Sequence, residues 1–211
     1  VLGTNDRHLV GVWLGLVGSL LVAWGSCHPE FAFAPDGWPS DAVNAVGLAA
    51  PLPWNRVVLI AGTVLLTWAW WHVRPTRDRA PVHAGTTLAL WSLPLLLVPP
   101  VLSPDAVLYA DLGWTLSTGA NPYDVGLATS GGPFAHQVDP LWAGSGVAYP
   151  PLTLRLNQLV VAATGAHPYW SVVAMRVPVI LAVVAMAVLA PRLAGLLGVP
   201  RQEAIWLGVL N

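Results

Sequence analysis

The stretch WSLPLLLVPPVLSPDAVLYADLGWTLSTGANPYDVG, from Trp91 to Gly126, decides the fold. It opens as a hydrophobic run that ends at the proline pair 99–100, and Ser103-Pro104-Asp105 follows almost at once. Serine is a favoured N-cap, proline fits the first helical position, and an acid complements the positive end of the helix dipole. We therefore predict that a membrane segment is followed directly by a new helix with Asp105 in its first turn.

The composition indicates an all-α, polytopic transmembrane protein. Hydrophobic residues make up 55% of the 211 residues and charged residues only 9%, and none of the basic residues is lysine. A soluble domain usually has about a quarter charged residues, so this chain could not cover a water-facing surface. The net charge of −1 argues against a nucleic-acid partner. The single cysteine, Cys27, excludes an internal disulfide and a cysteine metal cluster.

Apolar segments long enough to cross a bilayer recur along the chain. We predict spans at about 9–27, 55–72, 84–101 and 170–190, and a partial span at 203–211. The first has Gly11, Gly15 and Gly18 at spacings that let another helix approach closely. Residues 1–211 thus read as a single transmembrane domain, the N-terminal part of a longer protein. The long loop 102–169 is expected to carry the functional site, because loops of this length are usually functional or disordered.

The arginines predict the orientation in the plasma membrane, because short cytoplasmic segments are enriched in basic residues. With a cytoplasmic N-terminus, the inside segments contain Arg7, Arg74, Arg77, Arg79, Arg192 and Arg201. The loop 102–169 is then extracytoplasmic, and its acids lie at the outer interface. Tryptophans near the predicted span ends are expected to be interface anchors; these are Trp24, Trp54, Trp70, Trp71 and Trp170.

The predicted helix after residue 104 presents two candidate acids. Asp105 and Tyr109 share one face with two leucines, at offsets of three, four and seven residues, whereas Asp111 points elsewhere. Asp105 is either a complement of the helix dipole or a reactive carboxylate at the membrane surface. Asp111 is either a solvated loop acid or a second functional carboxylate.

Further polar residues follow in the loop and in the fourth span. They are Asn121 and Tyr123 in a turn, Asp139 before Pro-Leu-Trp, Tyr149 before a proline pair, Arg155 and Arg176. Arg155 lies in a leucine stripe of a helix predicted at about Pro151–Ala163, where it either reaches headgroup phosphates or holds an anionic substrate group. Arg176, inside the span, requires a salt bridge or a polar cavity. The histidines are scattered, so a divalent metal is neither required nor excluded.

Several of these motifs occur in the order of a known family. Ser103-x-Asp105, Gly119-x-Asn121-Pro122-Tyr123, Asp139-Pro140-Leu141-Trp142 and Ala148-Tyr149-Pro150-Pro151-Leu152 follow the Pro-Pro-ended run. In this order they resemble the actinobacterial polyprenol-phosphate-mannose-dependent α-1,6-mannosyltransferases. These are membrane glycosyltransferases of the GT-C class, with interface helices in a long extracytoplasmic loop.

The resemblance implies a reaction at the outer face of the membrane. The donor would be polyprenyl-phosphate-mannose, and the acceptor the 6-hydroxyl of an α-1,6-mannan glycolipid, the core of lipomannan and lipoarabinomannan. Asp105 would be the general base of an inverting transfer, with Asp111 as the alternative base. The expected substrate-binding residues are Tyr109, Asp111, Asn121, Tyr123, Asp139, Tyr149, Arg155 and Arg176.

Two other functions are compatible with the residues. The first is a GT-C transferase that uses another lipid-linked sugar, such as arabinose. The second is a lipid-linked sugar transporter or flippase in which Arg176 and the interrupted third span form a translocation site. A transporter should place its charges at mid-membrane and have short outer loops. The long acidic loop 102–169 therefore favours the enzyme.

Overall fold

The computed structural model describes residues 4–29, 37–76, 83–100 and 103–210, with side chains from residue 9 onward. About 66% of the chain is helical, and no strand occurs among the described residues. The helices are α1 (Thr4–Ser26), α2 (Ser40–Leu48), α3 (Trp54–His72), α4 (Ala84–Ser92), α5 (Asp105–Ser117), α6 (Pro151–Ala163), α7 (Pro168–Ala174), α8 (Arg176–Leu196) and α9 (Arg201–Gly208). The predicted inside residues Arg77 and Arg79, the side chain of Arg7 and the predicted span ends at 101 and 211 lie outside the described residues.

The chain divides into two compact units. The span unit consists of Val1–Gly25, Ala50–Leu97 and Val179–Asn211, and the loop unit of Ser26–Ala49 and Val98–Pro178. The single transmembrane domain expected for residues 1–211 stays a prediction.

Two segments in the described part of the chain are long and apolar enough to cross a membrane. They are Leu9–Ser26 in α1 and Pro168–Leu196, which runs through α7 and α8. The helical content confirms the all-helical class. The two apolar segments support a membrane protein. Helix α3 covers the predicted segment 55–72, but its crossing of the membrane, like the polytopic topology and the orientation, stays a prediction.

Two expected spans are interrupted by proline. Helix α4 ends at Ser92 and a 3₁₀ turn, Leu93–Leu95, follows, so the interruption expected in the third segment, 84–101, is present at Pro94. Pro94 has no N–H, and its ring opposes the carbonyl four residues earlier, which stops an α-helix. Pro178 acts in the same way on Ala174, the last residue of α7. The expected span 170–190 is consequently divided into α7 and α8.

Glycines allow close helix packing in the span unit, as predicted for α1. A Cβ added to Gly15 would overlap the Trp91 ring, and one added to Gly18 would lie 2.9 Å from the Leu66 backbone nitrogen. The Trp91 indole donates a hydrogen bond of 2.9 Å to the carbonyl of Val12. These contacts hold α3 and α4 against α1.

One of the expected interface anchors, Trp70, also packs against another helix of the span unit. The Trp70 ring stacks on Trp206 of α9, with centroids 4.4 Å apart and planes 10° apart. Each indole also donates to the other residue's carbonyl, at 3.2 Å from Trp70 and 2.9 Å from Trp206. Trp70 therefore joins α3 to α9.

Helices α5, α6 and α7 pack together in the loop unit. The buried core residues are Val107, Leu108, Ala110, Leu112, Leu127, Phe134, Val138, Leu154, Val161, Val172 and Met175. Gly113 lies where α5 crosses α6, and a Cβ there would be 2.5 Å from the Asn157 carbonyl oxygen. The bounds predicted for α6 are confirmed.

Candidate functional site

Asp105 is the first residue of α5 and is half-buried. Its backbone N–H donates a 3.2 Å hydrogen bond to the Ser103 hydroxyl, but the N-cap is Pro104, so the prediction of Ser103 as N-cap was wrong by one residue. Among the described residues, no hydrogen bond or ion pair engages the Asp105 carboxylate. It is thus an open acceptor at the N-terminal end of α5.

Two tyrosines lie next to this helix start. The rings of Tyr109 and Tyr149 meet edge to face, with centroids 5.4 Å apart and planes 84° apart. Burial, a side-chain hydrogen bond with Tyr149 and the nearby Asp105 charge together raise the pKa of Tyr109 to about 12. The Tyr109 hydroxyl therefore keeps its proton at neutral pH and can donate a hydrogen bond beside an unpaired carboxylate.

A third tyrosine reaches the same place from the turn at 121–124. The Tyr123 hydroxyl donates to the Tyr149 carbonyl at 2.5 Å. The Asn121 amide donates to Asp124 at 2.7 Å, and its oxygen accepts from the Tyr123 backbone at 3.2 Å. Asn121 thus holds the turn that places Tyr123. We name Asp105, Tyr109, Tyr123 and Tyr149 the acid–tyrosine cluster.

Asp111 lies apart from this open carboxylate and is fully buried. Its Oδ2 accepts a 2.8 Å hydrogen bond from the Ala128 backbone, whereas Oδ1 has no partner among the described residues. Burial raises the pKa of Asp111, and the bond from Ala128 opposes this only in part. The interpretation of Asp111 as a solvated loop acid was therefore wrong, because the segment around Ala128 folds back over it.

Asp139 and Arg155 are surface residues with local partners. Asp139 Oδ1 accepts from the Leu141 backbone at 2.9 Å and so closes a turn. Arg155 is exposed and donates to Gln158 at 2.8 Å. It lies among the exposed leucines of α6, Leu152, Leu156 and Leu159, so the predicted stripe is present.

Arg176 is half-buried at the first residue of α8, at the break between α7 and α8. It interacts electrostatically with the Tyr169 hydroxyl, which belongs to the same unit. Counted from Pro168, where the candidate span Pro168–Leu196 begins, Arg176 lies about two turns inside the span, as expected. No three His, Cys, Asp or Glu side chains come together at a possible metal site in the part of the chain that the structure describes.

Comparison with known proteins gives a match over nearly the whole chain. The family model described as "Alpha-(1->6)-mannopyranosyltransferase, N-terminal domain" matches residues 12–211. The chain belongs to this family. Membership agrees with the resemblance seen in the ordered motifs, and it favours a transferase over a transporter.

Named relatives agree with this assignment. A probable alpha-(1->6)-mannopyranosyltransferase of Mycolicibacterium smegmatis is 33% identical over 157 residues, 71% of this chain and 28% of the relative. Alpha-(1->6)-mannopyranosyltransferase A of Mycobacterium tuberculosis is 28% identical over 78% of this chain and 31% of its own length. The Corynebacterium glutamicum protein of the same name is 29% identical over 74% of this chain and 34% of its own length. The chain thus spans about a third of these relatives, and no solved structure matches it.

Two residues that were not predicted from the sequence, Gln158 and Asp124, hydrogen-bond to predicted site residues. Gln158 accepts from Arg155 and donates to the Leu116 carbonyl at 3.3 Å, which joins α6 to α5. Asp124 fixes the Asn121 amide. The spacing of three residues in both pairs was a usable signal, because residues three apart in a turn or a helix are neighbours. No local sequence pattern indicated that the Ala128 N–H, in a residue with a φ of +62°, would donate to Asp111.

Asp111→Asn should flatten the dependence of stability on pH. The folded-state pKa of Asp111 lies above its ordinary value, so its contribution to stability is complete below that ordinary value and is lost as pH rises through the folded pKa. Asparagine keeps an oxygen for the Ala128 N–H but cannot ionise. We expect the melting temperature of the parent protein to fall as the pH rises above about 4, and that of the variant to fall less. Asp41→Asn, at an exposed acid of α2, is the control; parallel curves for the parent protein and the Asp111 variant would contradict the expectation.

Proposed function

We propose that this chain forms the acceptor-activating part of a mannosyltransferase in the plasma membrane. The donor is polyprenyl-phosphate-mannose, the acceptor is the 6-hydroxyl of an α-1,6-mannan glycolipid, and the loop unit faces the outside. The observation that carries the proposal is the open Asp105 carboxylate beside the protonated Tyr109 hydroxyl, in a chain that belongs to the mannopyranosyltransferase family. A base and a hydrogen-bond donor side by side are suited to hold and deprotonate a sugar hydroxyl.

Asp105 acts as general base, because an alcohol is a weak nucleophile until its proton is removed. The acceptor O6 attacks the anomeric carbon of mannose as its proton passes to the Asp105 carboxylate. The bond from that carbon to the phosphate oxygen breaks, and polyprenyl phosphate leaves with the electron pair. Attack from the side opposite the phosphate inverts the anomeric centre. Asp111 is disfavoured as the base, since a fully buried carboxylate cannot reach an incoming sugar.

The remaining residues divide between the two substrates. Tyr123 and Tyr149 continue the surface beside Asp105 and are proposed to contact acceptor sugars, with Asn121 and Asp139 shaping the turns around them. Arg155 is proposed to hold the donor phosphate, because its guanidinium stands among exposed leucines that suit a polyprenyl chain. Arg176 is the second candidate for this phosphate. Charge stabilisation of the leaving group contributes strongly to such reactions.

The complete protein in proteoliposomes allows a direct test. Labelled mannose on polyprenyl phosphate should be transferred to a synthetic α-1,6-mannoside, and the new linkage should have the opposite anomeric configuration to the donor. Nucleotide-linked mannose serves as the comparison and should give no product. Transfer from the nucleotide donor alone, or release of sugar across the vesicle without a glycosidic product, would refute the proposal.

Tyr109→Phe should lower kcat/KM for transfer by about tenfold, the effect of one hydrogen bond of about 1.5 kcal/mol to a substrate hydroxyl. Because the pKa of Tyr109 is about 12, the parent enzyme should show no loss of activity from its ionisation up to about pH 10. Steady-state kinetics with the mannoside acceptor measures both effects. Ser117→Ala, which removes a hydroxyl from the last residue of α5, is the control for loss of a hydroxyl; equal losses in the two variants would point to general damage.

A further inference from the structure

A cavity of about 540 Å³ opens at the C-terminal end of α8, within the span unit. It is lined by Ala187, Val188, Pro191, Arg192, Gly195 and Arg201. We propose that this cavity binds the phosphate headgroup of an anionic phospholipid. The proposal does not rest on the proposed transferase activity.

A tight turn brings the second arginine back to the first. Helix α8 ends at Leu196, and Gly198 follows with a φ of +69°, which is accessible to glycine at little cost. The backbone N–H of Val199 then donates to the Ala194 carbonyl at 2.9 Å, the reverse bond of a helix-ending Schellman turn. Helix α9 therefore starts beside the last turns of α8, and Arg201 faces the same cavity as Arg192.

The two guanidinium groups share this cavity without an acid in its lining. Within the described parts of the chain, neither Arg192 nor Arg201 makes a hydrogen bond or an ion pair, and both are exposed. The two positive charges at one cavity repel each other, and a bound anion offsets this repulsion. Guanidinium groups match phosphate oxygens through paired N–H donors, so a phosphate is the anion that suits them best.

The other wall of the cavity indicates a lipid rather than a free anion. Ala187 and Val188 belong to the candidate span Pro168–Leu196, whose residues are mostly exposed and apolar. A cavity at the end of such a span has acyl chains on one side and headgroups on the other. Gly195 leaves the wall open, since nothing lies within 4 Å of the position that its Cβ would take. Basic pockets at helix ends near the membrane surface are recognised lipid-headgroup sites.

Lipid retention by the complete protein tests the proposal. The protein is exchanged into detergent with phosphatidylglycerol or phosphatidylcholine, and bound lipid is counted by native mass spectrometry. We expect selective retention of phosphatidylglycerol, reduced about fivefold by Arg192→Gln or Arg201→Gln and about 25-fold by the double variant. Gly195→Leu fills the cavity with both charges intact and should also abolish retention. Gln202→Ala, next to Arg201 on the exposed start of α9, is the control and should retain the lipid.

Three results would overturn the assignment. Undiminished phosphatidylglycerol retention in the double variant would show that the arginines do not hold it. Equal retention of the two lipids would show that the anionic headgroup is not selected. Binding of inorganic phosphate that depends on both arginines, without lipid retention, would identify a free-phosphate site instead. The melting temperature of each variant is measured alongside, and Gly195→Leu provides the test if the double variant fails to fold.

Discussion

Asp105→Asn should reduce mannosyl transfer by roughly a hundredfold to ten-thousandfold, the range by which a positioned general base accelerates a reaction. Asparagine has the same shape and can still accept a hydrogen bond, but it cannot take the proton of the attacking hydroxyl. The assay is transfer of labelled mannose from polyprenyl-phosphate-mannose to an α-1,6-mannoside by the complete protein. The loss should fall on kcat more than on KM, because the acceptor can still bind.

The control separates a base from a helix-dipole complement. Asp41 is an exposed acid in the first turn of α2, the position that Asp105 has in α5. If Asp105 only complemented a dipole, Asp105→Asn and Asp41→Asn would each cost about 0.3–1 kcal/mol of stability and leave transfer intact. Full activity of Asp105→Asn together with inactivity of Asp111→Asn would reassign the base to Asp111.

Gly113→Ala should destabilise the loop unit by about 1–3 kcal/mol, because overpacking of a tight contact costs this much. The added Cβ would lie 2.5 Å from the Asn157 carbonyl oxygen and 2.7 Å from its carbon, and backbone atoms cannot rotate away. Helices α5 and α6 would have to separate. Since α5 carries Asp105 and Tyr109, and Tyr149 lies just before α6, the acid–tyrosine cluster would also open. Thermal unfolding and transfer activity should therefore fall together.

Gly85→Ala is the matched substitution for Gly113→Ala. Gly85 is also helical, but nothing lies within 4 Å of its added Cβ, so the change should be neutral or stabilising by up to about 1 kcal/mol. A melting temperature of Gly113→Ala at or above that of the parent protein would show that α5 and α6 can adjust, contrary to the expectation.

The sequence predicted what depends on local signals. The proline pair 150–151 predicted the start of α6, and Ser103-Pro104-Asp105 predicted the start of α5 to within one residue. The interruption of the third segment at Pro94 was predicted from the sequence, whereas the break at Pro178 in the fourth segment was not. Pro94 ends α4, and Pro178 separates α7 from α8, because a missing N–H and a ring clash outweigh the hydrophobicity of the surrounding residues.

The arrangement of the site depends on contacts between distant residues. Tyr109 and Tyr149 are separated by a loop with no periodic pattern, so their contact could not be inferred from spacing. Asp111 is buried because the chain folds back at Ala128, whose N–H donates to its carboxylate. Ala128 has a positive φ there, a backbone conformation that alanine rarely adopts. Trp70 had the position of an interface anchor, but its stacking on Trp206 links residues 136 positions apart. Composition and periodicity contain no information on such pairs.

The exposed leucine stripe of α6 has a consequence for how the reaction is measured. Leu152 and Leu159 are 72% and 65% exposed on either side of Arg155, a pattern suited to lying at a bilayer surface. A donor carried by the same bilayer would reach such a site by lateral diffusion, in two dimensions. We therefore expect the rate to follow the mole fraction of donor in the membrane. Diluting the vesicles in buffer that contains the same acceptor concentration should leave the rate per enzyme unchanged, whereas adding inert lipid to them should lower it.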